Sequence, residues 1–282
     1  MKLGIFAKTY PGRDPAAVLG QVRDAGYAAA QFNLASAGLD SMPDHVPDEA
    51  IGRISDAAAS AGVELVALSG TYNMIHPDVE VRETGHARLE IVIGAAAALG
   101  IPLVTLCTGT RDPADQWRAH PDNASEAAWA DLMVSMDRAV VLAERHGVAL
   151  GVEPELANVV DSTERAARLV ELCGPRVRIV LDPANLFEVT DAGRRRALVD
   201  EALERLGPHL ALAHAKDRRA DGRFATAGEG VIDWPHYLGG LRRVGYDGAL
   251  VTHGLGADKS VRVARFLGGV LREIAPGETR TR

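Results

Sequence analysis

The sequence predicts a single (β/α)8 TIM barrel, an α/β fold in which eight parallel strands close on themselves inside a ring of helices. Three observations predict it. Short apolar runs alternate with amphipathic helical segments along the chain, the pattern of right-handed crossovers in a parallel sheet. A glycine separates each helical segment from the run that follows it, where a helix needs a left-handed cap before turning into a strand. The 282 residues, 47% of them hydrophobic, suit one barrel of roughly 250 residues rather than two domains.

In order, Leu3 to Phe6 is the first strand, and the apolar spacing of Ala16 to Ala25 makes the first helix, closed by Gly26. Tyr27 to Phe32 pairs with the helix Glu49 to Ala61 and its cap Gly62; Val63 to Leu68 pairs with Val81 to Leu99 and Gly100. Ile101 to Leu106 precedes the long helix Glu126 to His146 and Gly147, and Val148 to Val152 precedes Thr163 to Cys173 and Gly174. Val177 to Leu181 leads to Arg195 to Leu206 and Gly207, and His209 to Ala213 leads to Pro235 to Val244 and Gly245. Ala249 to Val251 and Lys259 to Ile274 complete the eighth unit. The domain is expected to span residues 1–275, with the polar stretch 276–282 a frayed tail. The longest connections, Asn33 to Asp48, the flanks of His76 to Asp78, Thr108 to Asn123 and Arg218 to Asp233, are all β-to-α loops, on the face where barrels hold their active sites. An open doubly wound sheet is the rival architecture, but Ala7-Lys8-Thr9-Tyr10-Pro11-Gly12 after the first strand lacks the glycine spacing of a dinucleotide loop. A nicotinamide cofactor is therefore not expected.

Composition narrows the function. A net charge of -7 disfavours phosphate backbones, and the one basic triplet, Arg194-Arg195-Arg196, reads as a solvated helix face. The two cysteines, Cys107 and Cys173, are too few and too far apart for a disulfide framework or a zinc knuckle, which fits a reducing cytoplasm. Met1 runs almost directly into the first strand, so no signal peptide is expected, and no apolar run approaches the roughly 18 residues of a membrane span.

The chemistry is expected at four strand ends. The run Val148-Ala149-Leu150-Gly151-Val152 stops at Glu153-Pro154-Glu155, and three later runs stop at Asp182, His214 and His253. A carboxylate at the C-terminal lip of a buried strand is held by a rigid backbone while the following loop opens to solvent. A lone strand-end acid can simply be hydrogen-bonded or solvated, but four successive strands ending this way suggest one shared divalent cation. Two carboxylates and two imidazoles suit Mn²⁺, Co²⁺, Zn²⁺, Fe²⁺ or Mg²⁺ better than Ca²⁺.

Several motifs carry a resemblance: Gly151-Val152-Glu153-Pro154, Val180-Leu181-Asp182-Pro183-Ala184-Asn185, Ala213-His214-Ala215-Lys216-Asp217, Gly228-Glu229-Gly230-Val231-Ile232-Asp233-Trp234 and Gly245-Tyr246-Asp247-Gly248. With Ser69 to Asp78 after the third strand, they resemble the xylose-isomerase-like TIM-barrel family of sugar isomerases and epimerases over nearly the whole chain. The resemblance implies a metal held by Glu, Asp, His and a second Glu, the two Glu residues also passing protons on opposite faces of a ketose. Glu153, Asp182 and His214 match the first three positions, whereas His253 stands where the second Glu is expected. An imidazole can still ligate a metal or act as a base near its unperturbed pKa of about 6.5.

The expected function is a metal-dependent isomerase or epimerase of a small carbohydrate or polyol, in which the cation stabilises an enediolate as a base removes the proton beside a carbonyl. Glu153 or Glu155 would be that base, and His253 or Lys216 would return a proton. Protonation of a β-leaving group instead would make the protein a dehydratase or lyase on a keto-sugar or keto-inositol, and loss of the second Glu would also suit a sugar-binding relative. A zinc-dependent AP endonuclease needs further ligands that Gln31, Ser69 and Thr105 do not supply. Asn73, His76, Glu155, Asn185, Asp217 and Glu229 are the expected substrate contacts; Trp234 is expected to pack at the start of the seventh helix, and Cys107 to be a small core residue. A homodimer is the base-rate expectation for such barrels.

Overall fold

The computed structural model describes residues 1–274, so the expected tail at 276–282 lies outside the described residues. The chain runs β1 (Lys2–Phe6), α1 (Pro15–Asp24), β2 (Ala29–Phe32), α2 (Asp48–Ala61), β3 (Glu64–Ser69), α3 (Val79–Ala98), β4 (Leu103–Leu106) and α4 (Glu126–His146). It continues through β5 (Ala149–Val152), α5 (Thr163–Cys173), β6 (Val177–Leu181), α6 (Ala192–Leu206) and β7 (Leu210–Ala215). A short antiparallel hairpin of β8 (Asp217–Arg218) and β9 (Phe224–Ala225) then precedes α7 (Trp234–Arg243), β10 (Ala249–Thr252) and α8 (Ser260–Glu273). Eight parallel strands close in the order β1-β10-β7-β6-β5-β4-β3-β2, the TIM barrel expected. No helix among the described residues is long and apolar enough to cross a membrane.

Local chemistry fixes the helix starts. Asp14, Asp78, Ser125, Ser162, Asp191 and Asp233 each accept a hydrogen bond from a backbone N–H in the first turn of the following helix, satisfying donors that the helix itself leaves open. Of the seven glycines expected as left-handed caps, six have positive φ; Gly207 does not, at φ -47°. It opens a 3-10 turn instead, and an added Cβ would lie 2.9 Å from Val244 Cβ, so close packing accounts for this glycine. The hairpin was not expected, because strands of two residues carry no periodicity.

Side chains alternate along each strand, and this alternation positions the site. Ala29, Ala67, Leu103, Val180, Leu212, Ala249 and Val251 fill the barrel interior. The neighbours Ala30, Leu68, Val104, Leu181, Ala213 and Leu250 pack outwards into the core shared with the helices. Two residues beyond inward Val180, Leu212 and Val251 come Asp182, His214 and His253. On β5 the inward position before Glu153 is Gly151, where an added Cβ would lie 2.9 Å from Val180 Cγ2. All four side chains therefore converge on the barrel axis at its C-terminal mouth.

Candidate metal centre and active site

One ligand atom from each of Glu153, Asp182, His214 and His253 lies within 4.8 Å of the others. Asp182 and His214 are buried, while Glu153 and His253 remain partly open to the mouth. His253 Nε2 lies 2.9 Å from Asp182 Oδ2, and the two imidazoles tilt against each other with centroids 4.4 Å apart. His214 Nε2 donates to Gln31 Oε1 at 2.8 Å. Its Nδ1 is buried with no hydrogen-bond partner among the described residues, 3.3 Å from Glu153 Oε1. A lone pair and a carboxylate oxygen facing each other at that distance need a positive charge between them, so the donor set fits a divalent cation.

The cluster lies in a cavity of about 530 Å³ lined by Gln31, Ser69, Thr105, Glu155, Lys216 and Phe224 as well as Glu153, His214 and His253. Asn185 Nδ2 donates to Glu153 Oε1 at 2.9 Å, and Lys216 Nζ donates to Asn185 Oδ1 at 3.0 Å. The same ammonium lies 3.3 Å from Asp182 Oδ2 and 3.9 Å above the Phe224 ring. Burial alone would lower the Lys216 pKa, but Asp182, Glu153 and Glu155 outweigh it and hold it above the ordinary lysine value. Burial would likewise raise Asp182, yet Lys216 and His253 keep it well below the usual carboxylate range. Glu155 moves the other way, pushed up to about 7 by burial and then by the charge of Glu153. Burial pushes His253 down, which favours its neutral, ligating form.

The model of the xylose isomerase-like TIM barrel family matches residues 19–266, an interval containing all four clustered residues. The chain belongs to this family. Among solved structures, a xylose isomerase domain protein from Planctomyces limnophilus is 19% identical with a TM-score of 0.74, the match covering 97% of this chain and 98% of that one. A 3-keto-D-glucoside 4-epimerase from E. coli is 16% identical, TM-score 0.75, covering 95% and 99%. D-psicose 3-epimerase from Clostridium cellulolyticum H10, solved with D-tagatose, is 18% identical, TM-score 0.71, covering 97% and 98%. At these identities the likenesses establish the shared fold.

In this xylose isomerase-like barrel the expected contacts divide sharply. Glu155 and Lys216 line the cavity, and Asn185 braces its floor through Glu153 and Lys216. Asn73, His76, Asp217 and Glu229 are not among this cavity's lining residues; Asn73 and His76 line a second cavity that shares Gln116 with it. Asn73 ties two loops together, accepting from Ile75 and Thr110 N–H and donating to the Thr110 carbonyl. His76 bonds to the Pro113 carbonyl and caps Asp78 N–H. Glu229 is held by Lys259 at 2.9 Å and by Arg262, at the start of α8.

Asp217 is 1% exposed and forms no surface pair with Lys216. Its carboxylate accepts from Arg218, Gly228 and Ile232 N–H and from Trp234 Nε1, knitting the hairpin to α7. Trp234 is indeed buried at the start of α7 and Cys107 is buried, as expected. Sequence reasoning missed Lys8, Trp117 and Phe224, which line the mouth from loops and the hairpin.

Proposed function

We propose that the protein is a divalent-metal-dependent isomerase or epimerase of a sugar or polyol, acting by proton transfer beside a carbonyl. The observation that carries this reading is the convergence of four candidate ligand side chains at a cavity of about 530 Å³ that also presents a free carboxyl and a buried ammonium. Glu153, Asp182, His214 and His253 would hold the cation. Bound there, it would supply charge stabilisation to a substrate carbonyl and its neighbouring hydroxyl as an enediolate forms.

The chain's own groups do the rest. Glu153 serves as a base, with Asn185 Nδ2 fixing its Oε1. Glu155 faces the same space with a carboxyl that can hold or release a proton near neutrality. Lys216, charged and braced by Asn185, balances negative charge developing on the substrate. The shared fold of sugar epimerases such as D-psicose 3-epimerase supports the substrate class. A dehydratase on a keto-sugar is the second reading, favoured by His253 standing where a second carboxylate base is implied.

Two measurements test this. Elemental analysis after chelation and reloading with Mn²⁺ should find one ion per chain, and His253→Ala should weaken binding at least about tenfold; a wild-type protein that takes up no metal sinks the reading. Incubation with ketoses and keto-polyols in D₂O should place deuterium on the carbon beside the carbonyl without changing the product's composition. A product lighter by one water would select the dehydratase instead, and no exchange with any substrate would count against both.

A further inference from the structure

We propose that Gln31, on a strand that contributes none of the four clustered ligands, is the positioning residue that selects the His214 tautomer and so presents Nδ1 as a metal-binding lone pair. The inference rests on the metal-centre reading and adds to it the device that prepares one ligand. Gln31 is 6% exposed and lies two residues beyond inward-facing Ala29 on β2. Its Oε1 accepts from His214 Nε2 at 2.8 Å, and its Nε2 donates to Thr105 Oγ1 at 3.2 Å on β4, which anchors the far end of the amide. With the proton held on Nε2, the second nitrogen carries a lone pair, and that nitrogen is the buried atom 3.3 Å from Glu153 Oε1. The opposite tautomer would put an Nε2 lone pair against the Gln31 carbonyl oxygen. A ring nitrogen that donates to a fixed acceptor orients the imidazole and makes its other nitrogen a better ligand.

The test uses Mn²⁺ alone as probe. Calorimetric titration of the metal-free full chain should show Gln31→Leu binding Mn²⁺ about 10–100-fold more weakly than wild type. Gln31→Glu, whose carboxylate can only accept from Nε2–H, should bind at least as tightly as wild type. Nitrogen NMR of the metal-free wild type, at a pH where the ring is neutral, should show the His214 proton on Nε2. This readout needs no variant to fold. A proton on Nδ1 in the wild type overturns the proposal, as does Gln31→Leu binding Mn²⁺ like wild type or Gln31→Glu binding as weakly as Gln31→Leu. Normal wild-type binding beside an unaffected leucine variant would refute the role of Gln31 alone. Absence of Mn²⁺ binding in the wild type would refute the metal-centre reading with it.

Discussion

Glu153→Gln is expected to lower kcat/KM by about three orders of magnitude or more, because in the proposed reaction it removes a general base together with a charged ligand from one position. The fold should survive. A glutamine Oε1 can still accept from Asn185 Nδ2, and the substitution relieves repulsion among Glu153, Asp182 and Glu155. The variant also loses the attraction between Glu153 and Lys216, so the metal-free variant should melt close to or slightly below wild type, and a loss of activity well below that melting point cannot be attributed to unfolding. Glu153→Asp offers an internal contrast, since it restores the charge on a side chain one methylene shorter and should recover metal binding before it recovers turnover. Near-wild-type turnover by Glu153→Gln on the true substrate would remove Glu153 from the chemistry.

The strand-end cluster was legible because a period-2 pattern and an abrupt stop are both visible in one dimension. Gly151 to Glu153, Val180 to Asp182, Leu212 to His214 and Val251 to His253 each step two residues to the same face. The same parity could have identified more. Gln31, Ser69 and Thr105 lie two residues beyond inward Ala29, Ala67 and Leu103, and all three line the cavity. Parity also separates Lys216 from Asp217: the first is two residues beyond His214 and faces the cavity, and its neighbour turns away into the loop. Loop residues had no such guide. His76 and Glu229 carry chemically capable side chains, but their partners Pro113, Lys259 and Arg262 come from distant segments that no local spacing predicts. The hairpin that brings Phe224 over Lys216 is set by a buried carboxylate rather than by periodic apolar residues.

That carboxylate makes the last prediction one of stability. Asp217→Ala leaves four donors without their acceptor, the backbone N–H groups of Arg218, Gly228 and Ile232 and the Trp234 indole N–H. Some of the backbone groups can recover water, so the expected cost is about 3–5 kcal/mol rather than the sum of four buried losses. In a chain of this size that lowers the melting temperature by on the order of 10 °C. Asp217→Asn should be nearly as damaging despite its shape. Each carboxylate oxygen accepts two of the four bonds, and an amide nitrogen in place of either oxygen would confront two donors with a third. Gly230 tests the same device from the other side, because it packs so closely on the Asp217 carboxylate and the Arg218 carbonyl that no Cβ fits. Gly230→Ala should displace the hairpin and, with it, the Phe224 ring above the Lys216 ammonium. Activity of all three variants should therefore fall at temperatures well below their melting points, while Mn²⁺ affinity, which the proposed site places at the strand ends, changes far less. Variants that melt like wild type would show that the four hydrogen bonds are replaced by water at no cost.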